Sequence, residues 1–223
     1  DTSGAFTLDP VTGLMTGVLP APGTYSITVH AQSQADGRFD EKTYSVRAKT
    51  EIYTSNFETS TWTLSGTLWQ IGTPSTVGPS TAFQGTGVLA TVLADEYPND
   101  IDWGSNTATS PLIDLTATTA PGLTFYAWYE TESTYDGFNI KVSTDGTTFT
   151  TIPSTSLSPA YSGDIGPSGG QEPAWYGTHD NWAPYSVDLS AYAGQSIYLR
   201  FDFRSDVSGT YSGVYIDNFV ITD

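Results

Sequence analysis

No helical period survives for ten residues anywhere in this chain, whereas short alternating runs of apolar and polar residues, closed by Gly, Pro, Asn and Asp, recur from end to end. From Trp62 to Ile221 about ten such runs follow one another, the clearest at residues 87–93, 122–130, 137–143, 182–189, 196–204 and 214–221. Each run has one face to bury, so the chain must stack sheets rather than pack helices. The composition agrees: Gly, Ser, Thr, Tyr and Val abound while Lys, Glu, Leu and Met are scarce, the balance of pleated strands joined by turns. The fold class expected is all-β, a two-sheet antiparallel jelly-roll sandwich.

The first fifty residues read as a separate antiparallel meander. Tyr25, Ile27 and Val29 alternate cleanly, an Asp36-Gly37 turn follows, and Tyr44 and Val46 then share one face opposite charged neighbours. The strand pattern ends near Thr50 and the charge changes there. Residues 1–50 carry five acids and four bases, residues 51–223 nineteen acids and three bases. Two domains are expected, 1–50 and 51–223, joined by a very short linker of the kind found in rod-like stalks.

A formal charge of −17 repels a nucleic-acid backbone and an anionic membrane, and no apolar run approaches the length of a membrane span, so neither is an expected partner. With no Cys there is no disulfide and no thiol chemistry. The two His, His30 and His179, lie in different domains and outside any zinc or nucleophile motif, and no phosphate-binding glycine loop is present. Acids are plentiful enough that counting alone leaves a hydrolytic carboxylate pair open.

The acids suggest cation ligation instead. Glu58 follows the first strand pattern of the second domain and Asp217 sits in the last, so neighbouring first and last strands would bring them to one hard cation, with calcium as structural cofactor. A second cluster, Asp95, Asp100 and Asp102 with Asn99, falls within eight residues of turn-rich chain, an irregular calcium loop or a solvated acidic one. Asp136 reads as a turn cap or a ligand, Asp145 as a hairpin-turn residue. The stretch 154–182 is long for a sandwich and carries Tyr161, Trp175, Tyr176, Asp180, Asn181 and Trp182. These rings and polar groups are suited to stacking on a sugar or anchoring a protein surface, unless the Trp residues only pin the loop to the sheet.

Residues 6–17 and 23–29 resemble the latter half of bacterial immunoglobulin-like or cadherin-like repeats. The strands that should precede Phe6 in that family are missing, which implies a boundary cut there, a strand donated by another subunit with self-association, or a fold-back on the second domain. Asn56-Phe57-Glu58 with Trp62, together with residues 110–115, 135–138, 142–146, 187–194, 199–201 and 215–218, resembles the MAM-related jelly-roll domains found downstream of the catalytic domain in immune-inhibitor-A-type bacterial metallopeptidases. Eukaryotic MAM modules carry cysteines that this chain lacks. The resemblance implies a non-catalytic extracellular module binding glycan or protein, with Glu58 and Asp217 at the positions that hold structural calcium in related carbohydrate-binding jelly rolls. The other readings are a segment of a surface fibre completed between subunits and an accessory domain of a secreted metallopeptidase.

Overall fold

The computed structural model describes residues 6–8, 15–17, 21–32, 36–59 and 61–223. The chain divides into two compact units, Asp1–Thr50 and Glu51–Asp223. In the first, β1 (Phe6–Leu8) pairs with β2 (Met15–Gly17), and β3 (Gly23–Gln32) with β4 (Phe39–Ala48), both antiparallel. Tyr25 stands opposite Val46 and Ile27 opposite Tyr44, which puts the alternating apolar residues on one face as their spacing requires. In residues 21–30, 36–38 and 40–50 every side chain is exposed or half-buried. The run Asp9-Pro10-Val11-Thr12-Gly13, which reads from its sequence as a turn, lies outside the described residues.

The second unit contains β5 (Glu51–Ser55), β6 (Thr63–Ser65), β7 (Gln70–Gly72), β8 (Val88–Ala90), β9 (Thr107–Thr109), β10 (Ile113–Asp114), β11 (Gly122–Glu130) and β12 (Gly137–Ser143). It continues with β13 (Thr150–Thr151), β14 (Leu157–Ser158), β15 (Gly163–Ile165), β16 (Glu172–Ala174), β17 (Thr178–Asp188), β18 (Ser196–Arg204) and β19 (Gly213–Thr222). The helical content among the described residues is two single 3-10 turns. One sheet runs β14-β17-β11-β19-β8-β7 with β5 also on β19; the other runs β13-β12-β18-β9-β6 with β10 also on β18. Every pairing is antiparallel, and β15 and β16 form a small hairpin of their own.

The core lies between the sheets because each long strand turns alternate residues inward: Leu123, Phe125, Ala127 and Tyr129 from β11, Phe138, Ile140 and Val142 from β12, Ile197, Leu199, Phe201 and Phe203 from β18. The centre is aromatic. Trp62 stacks on Phe201 with centroids 5.9 Å apart, Phe125 meets Phe201 edge-on at 5.3 Å, and Phe219 meets Trp62 edge-on at 5.1 Å. These rings span both sheets and fix their separation.

One side of β19 is shared by two strands, and the break between them positions the site. On the side of β19 away from β11, β8 pairs at Tyr215 and Ile216 while β5 pairs from Phe219 to Thr222. Asp217 and Asn218 fall in the gap between them. Here β11 and β19 also slip register, and Asn218 adopts φ 49°.

Candidate functional site

Into that gap run the residues that follow β5, Asn56 to Glu58, and the loop entering β8, Phe83 to Gly87. Glu58 Oε1 accepts the backbone N–H groups of Thr86 (2.6 Å) and Gly87 (2.8 Å), and Oε2 accepts the Thr86 hydroxyl (2.9 Å). Those three bonds, the Gly87 and Thr86 amides first, hold the exposed Glu58 carboxyl below its ordinary value. Asp217 is fully buried; its Oδ2 accepts Gln84 N–H at 2.8 Å and its Oδ1 accepts Asn218 N–H at 2.6 Å. Burial pushes the Asp217 carboxyl up to about 6 against those two bonds, and the charge of Glu58 pushes the same way. Gly85 has φ 66° and Gly87 has no room for a Cβ beside the Phe57 carbonyl, so both glycines let the loop close on the carboxylates.

The structure thus brings Glu58 and Asp217 to one place. The donor set suits a hard cation: a buried carboxylate with no Lys or Arg partner among the described residues, a second carboxylate beside it, and lone pairs left on Glu58 Oε2 and on both Asp217 oxygens. A bound calcium would cancel their mutual repulsion and tie β5, the 83–87 loop and β19 together.

The acidic loop is arranged differently from the sequence expectation. Asp95, Asp100 and Asp102 are exposed and do not converge: Asp95 caps the Glu96 N–H, Asp100 is a turn residue with φ 62°, and Asp102 accepts bonds from Ser105 through its backbone carbonyl. The reason is Tyr97, whose fully buried ring anchors the loop against Phe203 and leaves the flanking acids pointing to solvent.

The 154–182 stretch is likewise no free loop. Trp175 exchanges two backbone bonds with Phe138 on the edge of β12 (2.9 and 3.1 Å), which carries its indole into the core at 1% exposure. Its Nε1 donates to the carbonyls of Pro159 and Ala160. Tyr161 is buried against Trp175 and bonds the Ile140 backbone, while the half-buried Tyr176 donates its hydroxyl to Ser162 O. Trp175 and Tyr161 are thus buried in the core and offer no face to a ligand, whereas Tyr176 is half-buried.

Asp180, Asn181 and Trp182 do reach the surface, on the outer face of the larger sheet. With Pro79, Ser80, Thr81 and Trp128 they line a cavity of about 210 Å³. Trp182 Nε1 donates to Thr81 O at 3.1 Å. Beside it Phe83, 40% exposed, lies flat on Tyr126 with centroids 3.6 Å apart and planes 13° off parallel. Trp182 meets Phe83 at 6.3 Å. Sequence reading missed Phe83 and Tyr126, since a stacking pair 43 positions apart leaves no local signal; the even-numbered, outward phase of Tyr126 and Trp128 in β11 was the available hint. A larger groove of about 420 Å³ borders Asp145 and Tyr192, but Asp145 is occupied by Thr147 and Thr148 N–H and the Ser143 hydroxyl, and Tyr192 is its single ring.

The sequence profile of the immune inhibitor A-like MAM domain matches residues 100–223. The chain belongs to that family, and it is an accessory module, not a catalytic domain. Bacillopeptidase F of Bacillus subtilis (strain 168) is 30% identical over 187 residues, covering 81% of this chain and 11% of the relative. Pre-pro-metalloprotease PrtV of Vibrio cholerae serotype O1 (strain M66-2) is 32% identical over 122 residues, covering 55% of this chain and 12% of the relative. The chain therefore spans about a tenth of the length of these curated relatives. Among solved structures, the K1 cleaved adhesin domain of Lys-gingipain from Porphyromonas gingivalis W83 aligns with TM-score 0.45 and 17% identity, over 76% of this chain and 96% of that one. No helix among the described residues is long and apolar enough to cross a membrane.

Proposed function

We propose that this chain is an extracellular, calcium-stabilised binding module of an exported peptidase, and that it takes glycan on the platform formed by Phe83, Tyr126 and Trp182. The observation that carries this reading is the exposed Phe83 ring held flat on Tyr126 next to the cavity bearing Asp180 and Asn181. A ring already fixed by stacking loses little freedom on binding. Its open face suits the C–H side of a sugar, and the neighbouring carboxylate and amide suit the hydroxyls. The same geometry can anchor a protein surface, so the ligand class is decided by retention on glycan arrays against retention on immobilised protein.

Phe83→Ala is expected to weaken binding at least tenfold while shifting the melting midpoint by no more than about 2 °C, because an exposed ring contributes contact area rather than core. Unchanged affinity of Phe83→Ala and Trp182→Ala for an identified ligand would place the binding surface elsewhere. Absence of retention together with concentration-dependent polymers in sedimentation would favour the fibre reading instead. That reading is motivated by the half-exposed apolar stripe of Tyr25, Ile27, Val29 and Val46 in the first unit.

Calcium at Glu58 and Asp217 would stabilise the folded state by mass action, about 2.7 kcal/mol at a hundredfold excess over the dissociation constant. Chelation is expected to lower the melting midpoint, and Glu58→Gln with Asp217→Asn to remove that part of the response. Because Gln84 and Phe83 are consecutive, chelation should also loosen the platform and weaken binding. A calcium response unaltered by both substitutions refutes this assignment.

A further inference from the structure

At the turn joining β11 to β12 and the turn joining β18 to β19, three more carboxylates meet. One oxygen each of Glu132, Asp136 and Asp206 lies within 4.8 Å of the other two. Asp136 is fully buried. Both of its oxygens are oriented by hydrogen bonds: Oδ2 accepts the Tyr97 hydroxyl at 2.7 Å and Oδ1 accepts Asp206 N–H at 2.7 Å. Tyr97 in turn accepts Glu132 N–H at 3.1 Å, so one buried phenol orients two of the acids. Asp206 Oδ1 accepts Ser208 N–H.

The cluster lacks a counter-charge. No described Lys or Arg forms an ion pair with any of the three, and Arg204, which stands opposite Gly137, donates to the Tyr135 carbonyl instead. A separate observation points to a missing ligand: Glu132 Oε2 is shielded from solvent and accepts no hydrogen bond. Asn99 Oδ1 is in the same state, and Asn99 lies between Tyr97, which bonds Asp136, and Asp100, whose N–H donates to Asp206 O. A sequestered carboxylate oxygen without a donor, beside two further carboxylates, is costly unless a cation completes it.

We infer that Glu132, Asp136 and Asp206 form a second divalent-cation site, of calcium type, distinct from the one at Glu58 and Asp217. Calcium–oxygen distances of about 2.3–2.6 Å let one ion bridge oxygens spread over such a span, whereas magnesium demands a tighter octahedron. The site would lock the 95–102 loop and the two turns together through Tyr97 and Asp206. The sequence expectation of a metal near that loop thus finds other ligands, on turns separated by some seventy residues.

The test is calcium stoichiometry of the full chain by isothermal titration after chelator dialysis, in wild type, Asp206→Asn, Glu132→Gln, and the Glu58→Gln/Asp217→Asn pair. Two equivalents are expected for wild type, with one lost or weakened at least tenfold in Asp206→Asn and in Glu132→Gln, and one retained in the Glu58→Gln/Asp217→Asn chain. Both single substitutions are near-isosteric and relieve repulsion, so the metal-free variants should melt no lower than metal-free wild type. A single equivalent that survives at Glu58 and Asp217 alone, or Asp206→Asn and Glu132→Gln chains that bind as wild type does, overturns the inference. One equivalent lost only in Asp206→Asn and Glu132→Gln upholds it and instead refutes calcium at the first site.

Discussion

Trp175→Ala is expected to destabilise the second unit by about 3–5 kcal/mol, lowering the melting midpoint by roughly 10 °C. The indole is 1% exposed and touches Tyr161, Tyr185, Phe138 and Phe125, with centroids 4.5, 5.2, 5.2 and 6.1 Å away. Removing it leaves a cavity lined by four rings and frees the Pro159 and Ala160 carbonyls that its Nε1 now satisfies. Urea unfolding of the variant measures the loss. A change below about 1 kcal/mol, or an intact midpoint with lost ligand binding, would mean that Trp175 faces outward. Trp175→Phe should recover part of the packing but neither carbonyl bond.

The contrast between Trp175 and Trp182 shows what local pattern conveys. In β11, β12 and β18 alternation is regular, and the inward residues Phe125, Phe138 and Phe201 follow from period two alone. Between residues 154 and 177 the chain forms short strands and one 3-10 turn, so burial is decided by an isolated pairing with Phe138 that no period announces. The nearness of Glu58 and Asp217 was readable because antiparallel pairing of the first and last strands, with Ser55 opposite Phe219, carries the chain that follows β5 past the middle of β19. Glu132, Asp136 and Asp206 come from separate turns. Their convergence depends on how β11, β12, β18 and β19 are ordered across two sheets, which composition and spacing do not specify.

The module also concentrates its few cations. Lys141, Arg200 and Arg204 are the three bases of residues 51–223, and all stand on the outer face of β12 and β18, where Lys141 pairs with Arg200 across the strands. Lys141 Nζ contacts Glu172 Oε2 at 2.6 Å and Asp202 Oδ2 at 2.9 Å; Arg200 Nη2 donates to Asp202 Oδ2 at 3.0 Å. Asp202 is fully buried, and Glu172 belongs to the β15–β16 hairpin. The network therefore fastens that hairpin to the sheet, and with it the segment that leads Trp175 into the core.

Lys141→Met should cost about 3–5 kcal/mol at neutral pH, since it strands Asp202 with Arg200 alone and leaves Glu172 without a cation. The pH dependence separates charge from packing. Burial pushes the Glu172 carboxyl up, but the Lys141 ammonium, the Thr151 hydroxyl and the Asn139 amide outweigh it, so its value in the folded chain lies below the ordinary one. A depressed carboxyl stabilises the fold fully above its unfolded value, near about 4.3, and that stabilisation is lost as pH falls through the folded value. With Lys141 gone only the upward push of burial and two neutral donors remain, so the variant has less of this stabilisation to lose. The gap between wild type and Lys141→Met should be widest near pH 7 and should narrow below about pH 4 in urea titrations. A gap that stays constant from pH 7 to pH 3 would assign the loss to the lysine stem and to its ammonium over the Trp103 ring, 5.4 Å away, rather than to the ion pairs.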